Sequence, residues 1–132
     1  MRGVDTTVLV RYITDDDREQ AEAVERFLQQ CHRDHERIFV SVLVLCELIW
    51  VLDRSFEESK PRLIEVLERL LATDLFQIDQ ESAVRHSLEH YRLGKAGFPD
   101  YMIGEIGRLA GCRDTVSFDR ALRGSPGFEL LV

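Results

Sequence analysis

Five short apolar runs, at residues 1–4, 37–41, 75–79, 115–118 and 128–132, alternate with segments of helical periodicity. No other feature of the chain restricts its fold as strongly. Strands of this length separated by helices make βαβ units and a parallel sheet. The runs lack a polar alternation, which suits strands covered on both faces. Between them, residues 7–14 continue as an apolar helix. Residues 15–34 place Ala21, Val24, Phe27, Leu28 and Cys31 at helical spacing, with acids in the first turn where the helix dipole favours them. Residues 42–54 are an apolar helix, and 59–72 an amphipathic one with Pro61 in its opening turn. Residues 81–93 form a helix stopped by Gly94. Residues 100–110 form another, introduced by Pro99 and closed by Gly111. The expected fold class is α/β with a mostly parallel sheet of five strands.

A chain of 132 residues fits one domain, residues 1–132, with a real core. Its 45% hydrophobic and 31% charged residues are ordinary for a globular protein. No apolar run reaches the ~20 residues that span a bilayer. The start, Met1-Arg2-Gly3-Val4-Asp5, is not a signal peptide. The expected compartment is therefore the cytoplasm, with no membrane partner. Cys31, Cys46 and Cys112 are odd in number and lack C-x-x-C spacing, so they read as incidental thiols, with Cys46 a small core residue. The formal net charge of -7 argues against a general basic surface for nucleic acid. It leaves room for a carboxylate site that reverses its local sign on binding a divalent cation.

In a parallel α/β sheet, ligands bind beyond the carboxyl ends of the strands. Asp5 directly follows the first strand, and Asp119 follows Thr115-Val116-Ser117-Phe118. Asp100 opens a helix after Phe98-Pro99. Glu47 lies within an almost unbroken apolar helix from Val42 to Leu52. Burying an ionised carboxylate is costly unless it is paired or bound to metal. No Lys or Arg lies between Ser41 and Asp53 to pair with Glu47 locally. An ion pair with a distant Arg, or an edge position facing water, is the structural alternative. Each Asp has an alternative too, because Asp commonly caps helices and turns. Carboxylates brought close together need a cation to ionise together. All-oxygen ligation favours Mg²⁺ or Mn²⁺.

The sequence resembles the PIN-domain ribonucleases, and within them the VapC toxins of type II toxin–antitoxin pairs. The resemblance runs through residues 4–12 (Val4-Asp5-Thr6-Thr7 onward), Val42 to Leu52 around Glu47, and Gly97-Phe98-Pro99-Asp100-Tyr101-Met102-Ile103. It continues through Gly111-Cys112, Thr115-Val116-Ser117-Phe118-Asp119 and the ending Pro126-Gly127-Phe128-Glu129-Leu130-Leu131. The resemblance implies a three-layer α/β/α sandwich around the parallel sheet. It maps Asp5, Glu47, Asp100 and Asp119 onto a catalytic and metal-holding acidic quartet. Ser117 falls where a Thr or Ser commonly stands beside the metal. Thr7 replaces the usual Asn and still offers a hydroxyl, and Pro99 replaces a small residue at a helix start. The implied activity is Mg²⁺- or Mn²⁺-dependent hydrolysis of RNA phosphodiester bonds by a metal-activated water. The implied partners are the RNA substrate, a cognate VapB-like antitoxin and a second copy of the chain in a homodimer.

Other signals carry less. His86-Ser87-Leu88-Glu89-His90 matches H-x-x-E-H, a zinc-peptidase pattern. On a helix, though, both histidines point away from the face of Val84, Leu88 and Tyr91, and no third ligand is evident. His32 and His35 read as surface residues. Asp15-Asp16-Asp17 reads as a solvated loop and helix start. Trp50 and the apolar face around it read as core or dimer contact. Arg92 and Lys95 are candidates for touching RNA phosphate, but nothing in the sequence singles them out. Two rival functions are a catalytically inactive PIN-like binding module and an acidic, Mg²⁺-binding phosphoacceptor domain. The second needs a Lys after a late strand, and Lys60 and Lys95 both lie elsewhere.

Overall fold

Short polar side chains begin most of the helices, and hydrophobic periodicity decides what each helix covers. The computed structural model describes residues 1–132. It contains six α-helices and five strands, and every strand pairing is parallel. The α/β class expected from the sequence is therefore observed. Backbone contacts divide the chain into two units, Met1–Asp79 and Gln80–Val132. The ladders follow the same division, three strands in the first unit and two in the second.

The first unit runs β1 (Arg2–Gly3), α1 (Thr6–Ile13), α2 (Arg18–Arg33), β2 (Ile38–Val40), α3 (Val42–Arg54), α4 (Lys60–Ala72) and β3 (Phe76–Ile78). The strand order is β1-β2-β3, with Arg2 opposite Ile38 and Ile38 opposite Phe76. Ile38 and Val40 are fully buried, so the central strand is covered as its unbroken apolar run requires. Around them lie Leu9, Leu45, Leu48, Leu52, Val66, Leu67 and Leu70, all nearly inaccessible. Burial of each such side chain contributes about 1.5–3 kcal/mol. The Asp5, Asp17, Ser41 and Ser59 side chains each accept a backbone N–H in the first turn of a helix. Capping by Asp17 fixes the start of α2 at Arg18, leaving 15–17 as the expected loop.

Two expectations need correction in this unit. The first apolar run predicts a buried strand, yet Arg2 and Gly3 are both exposed. Within its ladder β1 is an edge strand, paired only with β2. Cys46 is half-buried rather than a core residue. That burial still pushes its thiol up to about 11, which keeps it protonated and unreactive near neutrality. Cys31 is buried and Cys112 exposed, and all three thiols are free.

The second unit runs α5 (Glu81–Leu93), α6 (Phe98–Leu109), β4 (Thr115–Ser117), a 3₁₀ turn (Arg120–Leu122) and β5 (Phe128–Leu130). Its core is Ala83, Val84, Leu88, Tyr91, Phe98, Tyr101, Met102 and Leu122. Tyr91 meets Phe98 edge-on, and Tyr101 meets Phe128 the same way. Phe128 packs so closely on α6 that a Cβ at Gly104 would lie 2.6 Å from its ring. The helix α6 starts earlier than expected. Gly97 is its cap and Pro99 lies inside the first turn, where a missing N–H costs nothing. β4 also departs from the expected two-sided cover, with Val116 54% exposed.

Candidate functional site

The four candidate carboxylates divide evenly between the units. In the first unit, Asp5 follows β1 and caps α1. Its Oδ1 accepts the Val8 N–H at 3.2 Å. The next residues, Thr6 and Thr7, line a cleft of about 350 Å³. Glu47 of α3 lines the same cleft, along with Arg11 and Asp16. Arg11 pairs with Asp16 at 3.2 Å, and the Thr14 hydroxyl donates to Asp16 as well. Asp16 is therefore satisfied within the protein. Glu47 has no hydrogen bond or ion pair, and it is exposed.

The exposure of Glu47 corrects the sequence argument. Its helix is apolar on more than its buried face: Leu43 and Trp50 are 83% and 56% exposed. Leu43, Glu47, Trp50 and Arg54 share the outer face at helical spacing, with Arg54 over the Trp50 ring. Burial therefore does not single Glu47 out. The edge position is the one it occupies. Its distinguishing feature is an unpaired carboxylate in a cleft also lined by Thr6 and Thr7. Trp50 is likewise not a core residue.

In the second unit, Asp100 stands in the first turn of α6, half-buried. Its Oδ2 accepts the Gly97 N–H at 2.9 Å. Asp119 follows β4 and caps the 3₁₀ turn through Oδ1, which accepts the Ala121 N–H at 2.9 Å. The Asp119 N–H in turn donates to Ser117 Oγ at 3.0 Å. Ser117 thus fixes the backbone that carries Asp119. The capping alternative considered for each Asp is real in all three cases. Each Asp spends one oxygen on a backbone N–H and keeps the other free of internal hydrogen bonds. Capping and ligation are compatible, because the cap orients the free oxygen. Within neither unit do three His, Cys, Asp or Glu side chains gather as a ready-made metal site.

A second cleft, of about 600 Å³, lies within the Gln80–Val132 unit. It is lined by His90, Tyr101, Lys95, Arg120 and Arg123 among others, and by no carboxylate. Of these cations only Lys95 was considered from the sequence. Arg120 and Arg123 were missed, and their position directly after Asp119 was the available signal. His86 is exposed as expected, but His90 is half-buried and stacked on Tyr101 at 6.0 Å. The H-x-x-E-H pattern gathers no third ligand.

Comparison with known proteins shows the family of the chain. The family model for the PIN domain matches residues 4–124, which takes in both units and all four carboxylates. The chain is also 26% identical over 123 residues to a VapC ribonuclease of Aquifex aeolicus (strain VF5), covering 93% of this chain and 90% of that one. The chain belongs to the PIN domain family.

Proposed function

We propose that the protein is a Mg²⁺- or Mn²⁺-dependent endoribonuclease and the toxin of a type II toxin–antitoxin pair. The observation that carries this reading is the family match across residues 4–124. Similarity to a VapC ribonuclease over most of both chains supports the ribonuclease class. We further propose that residues 1–132 act as one PIN domain, in which Asp5, Glu47, Asp100 and Asp119 serve a single site.

The donor set fits a hard divalent cation. It consists of carboxylate oxygens alone, with three Asp oxygens and both Glu47 oxygens free of internal hydrogen bonds. Asp5, Glu47, Asp100 and Asp119 are the residues that would hold it. When bound, such an ion polarises a phosphodiester oxygen and lowers the pKa of water. The protein's own part is orientation and proton handling. Backbone N–H groups of Val8, Gly97 and Ala121 fix the three Asp carboxylates. The Ser117 hydroxyl holds the Asp119 backbone. Glu47, which caps nothing, is free to accept a proton from the attacking water at Oε1 or Oε2. Thr7, which lines the Glu47 cleft, takes the place of the family's Asn.

A ribonuclease toxin needs restraint, so this reading includes a cognate VapB-like antitoxin whose basic side chain enters the acidic site. It also includes a homodimer, for which the exposed Leu43 and Trp50 of α3 offer an apolar contact. No helix is long and apolar enough to cross a membrane, and we place the protein in the cytoplasm. The direct test is cleavage of single-stranded RNA by the full chain with Mg²⁺ or Mn²⁺ present or removed by EDTA. Cleavage that stops with EDTA and returns with either ion is expected. Cleavage indifferent to EDTA contradicts the metal, and no cleavage with any divalent ion contradicts the activity.

A further inference from the structure

The Gln80–Val132 unit contains seven acids and seven Lys or Arg residues. Arg85, Arg92, Arg108 and Arg113 each pair with a carboxylate of the same unit. The remaining three cations are Lys95, Arg120 and Arg123. None has an acidic partner, and all three line the one cleft of about 600 Å³ that contains no carboxylate. In a chain of net charge -7, cations left over from local pairing would be expected to find acids. Instead they converge on a common space.

The walls of that cleft are held in place. The Ala96 N–H donates to Tyr101 Oη at 3.3 Å, and the Gly97 N–H donates to Asp100, so the loop carrying Lys95 is tied at two points. Gly94 lies so close to Tyr101 that a Cβ there would overlap the phenol oxygen, which fixes the same loop from its other side. Arg120 and Arg123 flank a turn capped by Asp119. His90 stacks on Tyr101 in the cleft wall and offers an aromatic face beside the cations. Two of the proposed catalytic acids, Asp100 and Asp119, directly precede lining residues Tyr101 and Arg120.

We propose that this cleft binds the phosphate backbone of single-stranded RNA next to the bond that is cut, with Lys95, Arg120 and Arg123 on phosphates and His90 against a base. The inference rests on the ribonuclease reading for its choice of ligand. Cations alone suit any polyanion. Cations beside an aromatic ring in the cleft wall are the combination that single-stranded nucleic acid uses.

The test is binding of a fluorescent single-stranded RNA in EDTA, by anisotropy, over a range of salt concentrations. Three full-length proteins are compared: wild type, Lys95→Gln/Arg120→Gln/Arg123→Gln, and Arg85→Gln/Arg108→Gln/Arg113→Gln. Both variants lose the same charge, so the second controls for a general field. Each phosphate contact contributes about 0.7 to the slope of log K against log salt. The cleft variant is expected to lose about 2 from that slope and the control variant to keep the wild-type value, measured on protein with wild-type circular dichroism. Equal slopes in the two variants, or no RNA binding by wild type, overturn the proposal. The ribonuclease reading is tested separately by wild-type cleavage. Slope loss confined to the cleft variant, in a protein that cuts no RNA, leaves the cleft standing and removes the nuclease.

Discussion

The two units of this chain differ in their electrostatics, one acidic and the other neutral. Met1–Asp79 holds seventeen acids against ten bases, and Gln80–Val132 holds seven of each. The whole net charge of -7 therefore belongs to the first unit. A whole-chain charge argues against nucleic-acid binding only when charge is evenly spread. Here the second unit is neutral and leaves three cations unpaired in one cleft. The units also differ in how their strands are covered. Ile38 and Val40 in the first are fully buried, whereas Val116 in the second is exposed. Both units nevertheless hold their candidate Asp residues in the same way, with a backbone N–H on one carboxylate oxygen.

The largest effect expected on stability lies on α3 and separates its two faces. Leu48→Ala removes a fully buried side chain and is expected to cost about 2–5 kcal/mol in urea unfolding. Leu43→Ala, five residues away and 83% exposed on the outer face, is expected to stay within about 0.5 kcal/mol of wild type. Comparable losses would mean that the outer face of α3 is covered in solution. In the second unit, Gly104→Ala drives a methyl group into the Phe128 ring. It is expected to cost about 1–3 kcal/mol, with near-ultraviolet circular dichroism reporting the disturbed aromatic packing. An unchanged melting curve would show that β5 gives way freely. Ser41→Ala removes the cap on Val44 N–H and is expected to cost about 1 kcal/mol.

The smallest effect is the pH dependence carried by Cys46. Burial raises its thiol from 9.0 to about 11, so the folded state keeps a proton that the unfolded chain releases. Its contribution is therefore complete below pH 9 and is lost as pH rises from 9 toward 11. Because the thiol is only half-buried, the change is expected to stay below about 1 kcal/mol. Cys46→Ala should flatten the stability curve over that window, and an identical curve would assign the titration elsewhere.

Much of this was legible in the sequence. All five strands fall inside the apolar runs, and α3 and α5 match their expected bounds. Periodicity and capping chemistry are local, and local order decides them. Glu47 shows where that logic ends. An apolar helix does not have to be buried all round, and Leu43 and Trp50 leave their face open. Pro99 marked the start of α6 correctly but from inside it, because the first turn tolerates a residue without an N–H. The cation cleft was not legible. A neighbouring acid does not by itself decide pairing: Arg113 pairs with the adjacent Asp114, whereas Arg120, equally close to Asp119 in sequence, lines the cleft.

We propose that acids from both units serve one reaction. Asp5→Asn and Asp100→Asn take one from each, and the double variant joins them. The measurement is the rate of Mg²⁺-dependent RNA cleavage by the three folded variants. Each single change is expected to cost more than the roughly 10–100-fold typical of an outer-shell partner. The double variant is expected to be no slower than the worse single one, as for residues that act as a unit. Wild-type cleavage by either single variant, or losses that multiply in the double variant, would contradict a shared site.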